Sequence, residues 1–126
     1  MQLLLIEDSA LLRTMSGMAF RHQLGTVRQA ESGQEALDLL AASDRPFDAV
    51  LLDLQMPDMN GVELICALRR LPVHGRTPIV LTTAEADESR LMQEAVALGV
   101  AAVVKKPWMP QQLRAIVQQV VDPPTG

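Results

Sequence analysis

Residues 49–71 read AVLLDLQMPDMNGVELICALRRL. The opening Ala49–Leu52 is an unbroken apolar run, the pattern of a strand buried on both faces of a parallel sheet, and it closes on one acid, Asp53. Asn60 with Glu63 three residues later is a capping-box pattern, after which Leu64, Ile65, Leu68 and Leu71 recur at helical spacing. A strand, an acid at its carboxyl end and a capped amphipathic helix make one βα unit.

The same grammar repeats on either side. Leu3–Ile6 and Ile79–Leu81 are also unbroken apolar runs and predict central strands. Thr26–Ala30 contains Arg28 and Gln29, and Ala102–Lys106 ends in two lysines; such polar content predicts strands at the sheet margins. Leu11, Met15, Met18 and His22 predict a first helix stopped at Gly25, with Met15 and Met18 as core filler. Ser32 with Glu35 repeats the capping-box pattern before Ala36, Leu37 and Leu40. Leu91, Ala95 and Leu98 stop at Gly99, and Pro110 opens a last helix through Leu113, Ile116, Val117 and Val120, although Met109 before it offers no capping oxygen. Five βα units predict an α/β fold, a doubly wound five-stranded parallel sheet. Asp122-Pro-Pro-Thr-Gly cannot extend the last helix, so residues 1–121 are read as one domain and 122–126 as a tail or linker stub.

A chain of 126 residues suits one core, and with one Trp, two Phe and no Tyr that core is aliphatic. The net charge of -4 argues against a nucleic-acid-binding face, which needs clustered Lys and Arg. Cys66, the lone cysteine, reads as a buried thiol in a reducing cytoplasm. The first apolar run, Leu3–Ile6, is too short for a signal-peptide core or a membrane span, which sets the expectation of a cytoplasmic protein that binds no membrane. His22 and His74 lack ligand spacing and read as surface or packing residues.

In an open parallel sheet, ligands bind outside the carboxyl ends of the strands. Glu7 and Asp8 end the first strand, Asp53 the third, Thr83 the fourth and Lys106 the fifth. Singly, Asp53 suits a loop cap and Glu7-Asp8 a solvated acidic turn. Together, three carboxylates in one crevice repel by about 4 kcal/mol per pair at ~4 Å and an effective dielectric near 20, and so call for a cation. Oxygen donors without His or Cys favour Mg²⁺ over zinc. Phosphoryl transfer depends on positioning and on neutralising three equatorial oxygens, and Mg²⁺, Lys106 and the Thr83 hydroxyl offer a partner for each. Asp53 is then the nucleophile that becomes an acyl phosphate, with Glu7 and Asp8 holding the metal directly or through water. Lys105 and Thr82 alternate with Lys106 and Thr83 and point to the opposite face, Lys105 as a solvated edge charge and Thr82 as a packed strand residue.

Glu7-Asp8, the run Asp53–Gly61, Thr83-Ala84 and Lys106-Pro107 together resemble the receiver domain of bacterial response regulators, the CheY-like family, over essentially the whole chain. The resemblance implies a flavodoxin-like (βα)5 sheet of strand order 2-1-3-4-5. It implies Asp53 as phosphorylation site, Glu7 and Asp8 as the acidic pair, the Gln55 carbonyl as a further metal ligand, Thr83 as switch hydroxyl and Lys106 as phosphate partner. It also implies a cis peptide at Lys106-Pro107. A histidine kinase or histidine phosphotransfer domain would be the donor. The resemblance further implies an output partner that the residues do not identify, homodimerisation on phosphorylation as a candidate assembly, and no catalysis beyond the domain's own phosphorylation and dephosphorylation.

The chain departs from the family at four places. Val103 stands where many receivers carry a Tyr or Phe that reports on the switch. Trp108 replaces a common Phe and either docks a partner or fills a gap, while Gln55 and Glu85 occupy positions that tune water access to the acyl phosphate. A pseudo-receiver that only binds partners is the alternative, although such domains usually lack one of the acidic, Thr or Lys elements, all present here. An aspartate-nucleophile phosphatase needs a second Asp two residues after the first, where Gln55 stands. A flavin-binding fold needs a phosphate loop that Glu7-Asp8-Ser9 would repel.

Overall fold

The computed structural model describes residues 2–20, 26–84 and 89–122. Five strands, β1 (Gln2–Ile6), β2 (Thr26–Ala30), β3 (Ala49–Asp53), β4 (Ile79–Thr83) and β5 (Ala102–Lys105), alternate with α1 (Ala10–Ala19), α2 (Gly33–Ala42), α3 (Gly61–Arg69), α4 (Arg90–Ala97) and α5 (Pro110–Val121). All ladders are parallel and the sheet order is β2-β1-β3-β4-β5, so the polar strands are the edges and the apolar ones the centre.

Strand alternation sorts the core into two layers. Leu4, Ile6, Val50, Leu52, Ile79 and Leu81 face α2, α3 and α4, where Leu40, Leu64, Ile65, Leu68, Met92 and Ala95 meet them. Leu3, Leu5, Ala49, Leu51, Val80 and Val104 face α1 and α5, against Ala19, Phe20, Leu113 and Val117. Trp108 is 4% exposed and belongs to this second layer, so it fills a gap. A sheet covered on both faces in this way leaves only its strand ends for function.

Serines cap three helices: Ser9, Ser32 and Ser89 accept from the Leu12, Glu35 and Met92 amides at 3.2, 3.1 and 3.1 Å. Asn60 and Glu63 complete a reciprocal capping box on α3. Met109 makes no side-chain cap, and Pro110 starts α5. Gly99 ends α4 at φ +84°, in the left-handed region that glycine alone enters without penalty. His74 is a packing residue, buried with its Nε2–H donating to the Leu40 carbonyl at 2.8 Å beside the Phe47 ring.

Several sequence readings are corrected. Leu11 and Met18 are 68% and 55% exposed, so Met18 is not core filler; α1 is rotated to bury Ser16 and Ala19, with Leu12 and half-buried Met15 against the core. Small residues there let α1 lie close to its neighbours. Leu98 is likewise exposed; α4 buries Ala95 as read, and Met92 in place of Leu98. The pattern at Ser32 is only half a capping box, because the Glu35 carboxylate accepts from the Glu31 amide at 3.3 Å and not from Ser32. Cys66 is half-buried on α3, not enclosed. Lys105, on the edge strand, is half-buried along its length beside α4, in a groove lined by Met92, Gln93, Val96, Ala97 and Val103. The readings placed on His22, Gly25, Glu85 and the tail after Asp122 lie outside the described residues.

Candidate functional site

Because β1 and β4 flank β3, the acid closing β3 has neighbours from both sides. Ile6 pairs with Leu52, Asp53 with Thr82, and Thr83 with Lys105. The next residues along, Glu7 and Lys106, stay tied to the sheet: the Glu7 amide donates to the Ala30 carbonyl of β2 at 3.0 Å and the Lys106 amide to the Thr83 carbonyl of β4 at 2.8 Å. Backbone pairing therefore delivers the side chains to one end of the sheet. The Lys106-Pro107 peptide is cis.

Glu7, Asp8 and Asp53 each offer a carboxylate oxygen within 4.8 Å of the others, Glu7 and Asp53 buried and Asp8 exposed. The Lys106 ammonium donates to Glu7 Oε1 at 3.0 Å and Asp53 Oδ2 at 2.7 Å. The other Asp53 oxygen accepts the Gln55 amide at 3.1 Å, and the Ser9 amide donates to Glu7 Oε2 at 3.2 Å. Thr83 is fully buried at the end of β4, one position beyond the partner of Asp53. Thr82 is buried in the strand, as alternation predicts. The structure thus brings Glu7, Asp8, Asp53 and Lys106 into one cluster, with Thr83 and Gln55 on its border.

The electrostatics are uneven. Burial, reinforced by Asp8 and Asp53, raises the Glu7 carboxyl above its ordinary 4.5, and the Lys106 bond offsets only part of this. For Lys106 burial works against the charged form, yet its bonds to Asp53 and Glu7 outweigh it and raise the ammonium above 10.5. The two shifts carry opposite meanings for the fold: the ammonium gains from the pairing, whereas Glu7 is held ionised at a net cost that the lysine reduces. Three negative charges against one positive still leave two uncompensated, the charge of one divalent ion.

Two residues of this region escaped the sequence reading. Arg13 on α1 donates through Nη1 to the Glu7 and Asp8 carbonyls at 2.8 and 3.0 Å, and lies 3.8 Å from Glu31, which fixes the turn that carries the acidic pair. A cation five residues after the acidic pair was the available signal. Asp58 accepts from the Gly33 and Gln34 amides at 3.0 and 2.9 Å, tying the loop after Asp53 to the start of α2. Its partners are distant in sequence, and no local pattern announces them.

Residues 3–118 match the family model described as the response regulator receiver domain. The chain is 29% identical over 112 residues to the transcriptional regulatory protein SrrA of Staphylococcus aureus; the match takes in 89% of this chain but only 44% of that protein. The solved chemotaxis response regulator CheY4 of Vibrio cholerae superposes with a TM-score of 0.85 at 31% identity, over 94% of this chain and 97% of the other. The receiver domain of a Pseudomonas aeruginosa sensor histidine kinase, solved with a magnesium ion coordinated in its active site cleft, shares the fold at a TM-score of 0.83 and 22% identity, over 95% and 96% of the two chains. With the family model covering nearly its full length, the chain belongs to the receiver domains of two-component response regulators.

Proposed function

We propose that Asp53 accepts a phosphoryl group from a phosphohistidine of a kinase or phosphotransfer domain, and that the acyl phosphate switches a protein-interaction surface. The observation that carries this is the ammonium of Lys106 held at 2.7 Å from one oxygen of a buried Asp53, inside a cluster of three carboxylates. The donor set tests well against Mg²⁺: it is all oxygen, it has an exposed member in Asp8 that leaves the cluster open to water and phosphate, and its uncompensated charge matches a divalent ion. Glu7, Asp8, Asp53 and the Gln55 carbonyl would hold the ion. When bound, Mg²⁺ supplies charge neutralisation for the nucleophile and the transferred oxygens.

The chain's own residues do the rest. The Gln55 amide and Lys106 fix the Asp53 carboxylate between them, so little reorientation precedes attack. The new bond joins an Asp53 oxygen to phosphorus while the P–N bond breaks; its electron pair leaves on the imidazole nitrogen, which takes a proton from water. As charge moves onto the phosphoryl oxygens, Lys106 transfers its hydrogen bond to one of them and the Thr83 hydroxyl meets another. In the β4–β5 ladder Lys105 is the partner of Thr83 and Val103 that of Leu81, and both line the groove against α4, so displacement of Thr83 reaches that surface through the backbone. The family match over 3–118 and the end of α5 at Val121 support a receiver unit over 1–121, with 122–126 as tail or linker. SrrA, a transcriptional regulatory protein, aligns over 44% of its length and the chemotaxis regulator CheY4 over 97% of its chain, so the matches accord both with a module of a longer regulator and with a free-standing receiver.

The test is incubation with acetyl phosphate and Mg²⁺ of the chain and of Asp53→Asn. A hydroxylamine-labile acyl phosphate should form on the former, disappear with EDTA and be absent from the latter. Equal labelling of Asp53→Asn would remove Asp53 from its role, and no labelling of either would leave a partner-binding module.

A further inference from the structure

The loop after Asp53 is tied at both ends and at its tip. At its base the Gly61 amide donates to the Leu54 carbonyl at 2.6 Å, Gln55 and Asn60 form an antiparallel bridge, and Asn60 caps α3. At its tip the Asp58 carboxylate leaves its own βα unit and accepts both leading amides of α2, at 3.0 Å from Gly33 and 2.9 Å from Gln34. The Met59 side chain lies over Gly33 so closely that a Cβ there would overlap it. Local sequence gives α2 no acid at its first two positions, Gly33 and Gln34, where the helix dipole favours an anion; Asp58 supplies one from the loop leading into α3 on the same face of the sheet. Such bonds to a charged acceptor are strong and directional, and they hold the loop and α2 as one body.

We propose that Asp58 is a positioning residue for the metal site. By fixing the loop tip against α2 it fixes Gln55, whose amide holds Asp53 and whose carbonyl completes the ligand set, and so sets the affinity for Mg²⁺. The inference rests on the reading of Gln55 and Asp53 given above. It parallels the outer partners of other metal sites, which orient the ligands without touching the ion.

The experiment is calorimetric titration of the full chain with MgCl₂, for the unsubstituted protein, Asp58→Ala, Asp58→Asn and Ser32→Ala. Asp58→Ala should weaken binding by about tenfold, at the lower end of what loss of an outer partner costs. Asp58→Asn keeps one acceptor oxygen and should fall between. The loss should persist at high salt, which screens the effect of the exposed charge itself. Ser32→Ala removes the other cap of the same helix, the bond from the Glu35 amide, without touching the loop, and should bind Mg²⁺ as the unsubstituted chain does. Amide exchange at Gly33 and Gln34 should quicken in Asp58→Ala, where the bonds to the Asp58 carboxylate are lost. Unchanged Mg²⁺ affinity in Asp58→Ala, or an equal loss in Ser32→Ala, overturns the latch alone. No Mg²⁺ binding by the unsubstituted chain overturns the functional reading with it.

Discussion

Replacing Lys106 with methionine isolates the charge that the cluster depends on. Methionine keeps most of the apolar stem and removes the ammonium, so packing changes little. The ammonium lies 3.0 Å from Glu7 and 2.7 Å from Asp53, and the three side chains are only 17%, 3% and 11% exposed. Removing one partner of a buried pair costs about 3–5 kcal/mol, since the other charge stays buried and unpaired. The cluster opens to water at exposed Asp8, which places Lys106→Met near about 3 kcal/mol at pH 7 without metal. With a urea slope of about 2 kcal/mol/M this lowers the midpoint by about 1.5 M. The pH dependence follows from the two shifts. Glu7 has a folded value above its ordinary 4.5, so its charge destabilises the fold as pH rises above 4.5, and losing Lys106 deepens that cost. Protonation of Glu7 at acid pH removes it, so the gap between the two proteins should shrink from pH 7 to pH 5. Lys106, raised above 10.5, stabilises fully below that pH and loses its contribution as pH climbs through its folded value, so the gap narrows there too. Mg²⁺ competes with the ammonium for the same oxygens, so the variant should bind it more tightly; a tenfold excess over Kd restores about 1.4 kcal/mol. Urea titrations in EDTA and in MgCl₂ at pH 5 and pH 7 read all of this. A loss under about 1 kcal/mol at pH 7, or one equal at both pH values, would refute an ammonium-neutralised cluster.

Gly61→Ala should lose about 1–3 kcal/mol in the same titration, because its Cβ would stand 3.0 Å from the Leu54 backbone and 3.1 Å from Leu52 Cδ1; a neutral result would mean that the loop base can yield. His74→Ala leaves the buried Leu40 carbonyl with the Ser43 amide as remaining partner, so a loss of about 1–2 kcal/mol is expected, and a change under about 0.5 kcal/mol would make that cross-link dispensable. Gly99→Ala has open space for its methyl but keeps φ at +84°, which should cost about 1–2 kcal/mol by thermal or urea unfolding. Trp108, the only tryptophan and buried, should emit to the blue of free tryptophan and shift red at the same midpoint as the circular dichroism signal.

The sheet was legible because burial on both faces writes itself into consecutive residues. Leu3–Ile6, Ala49–Leu52 and Ile79–Leu81 admit no polar side chain, and each emerged as a central strand. The helices were legible as elements but not as faces. In α1 the run Ala10-Leu11-Leu12-Arg13-Thr14-Met15 gives two apolar stripes about one position apart, Leu11/Met15/Met18 and Leu12/Met15/Ala19. The choice between them depends on how near α1 lies to β1 and α5, and small Ser16 and Ala19 permit the second. Exposed Leu11 and Met18 carried the same hydropathy as core residues, so hydropathy could not decide.

The site divides along the same line. Each strand-end residue was legible because topology fixes where a strand ends, and a parallel sheet puts all those ends together; Glu7, Asp53 and Lys106 meet for that reason alone. What sequence could not supply was the bonding that crosses between βα units. Three crowded carboxylates call for a cation, and Lys106, bonded to two of them, meets part of that demand internally. This changes what a metal ion must do. Lys106 compensates one of the three charges; Glu7, Asp8 and Asp53 would hold an ion that supplies the remaining two, and the ammonium would then be available to an incoming phosphate. In the proposed reaction the lysine's move from carboxylates to phosphoryl oxygens would be the conformational signal, and the bond from its backbone amide to the Thr83 carbonyl gives that move a route into β4.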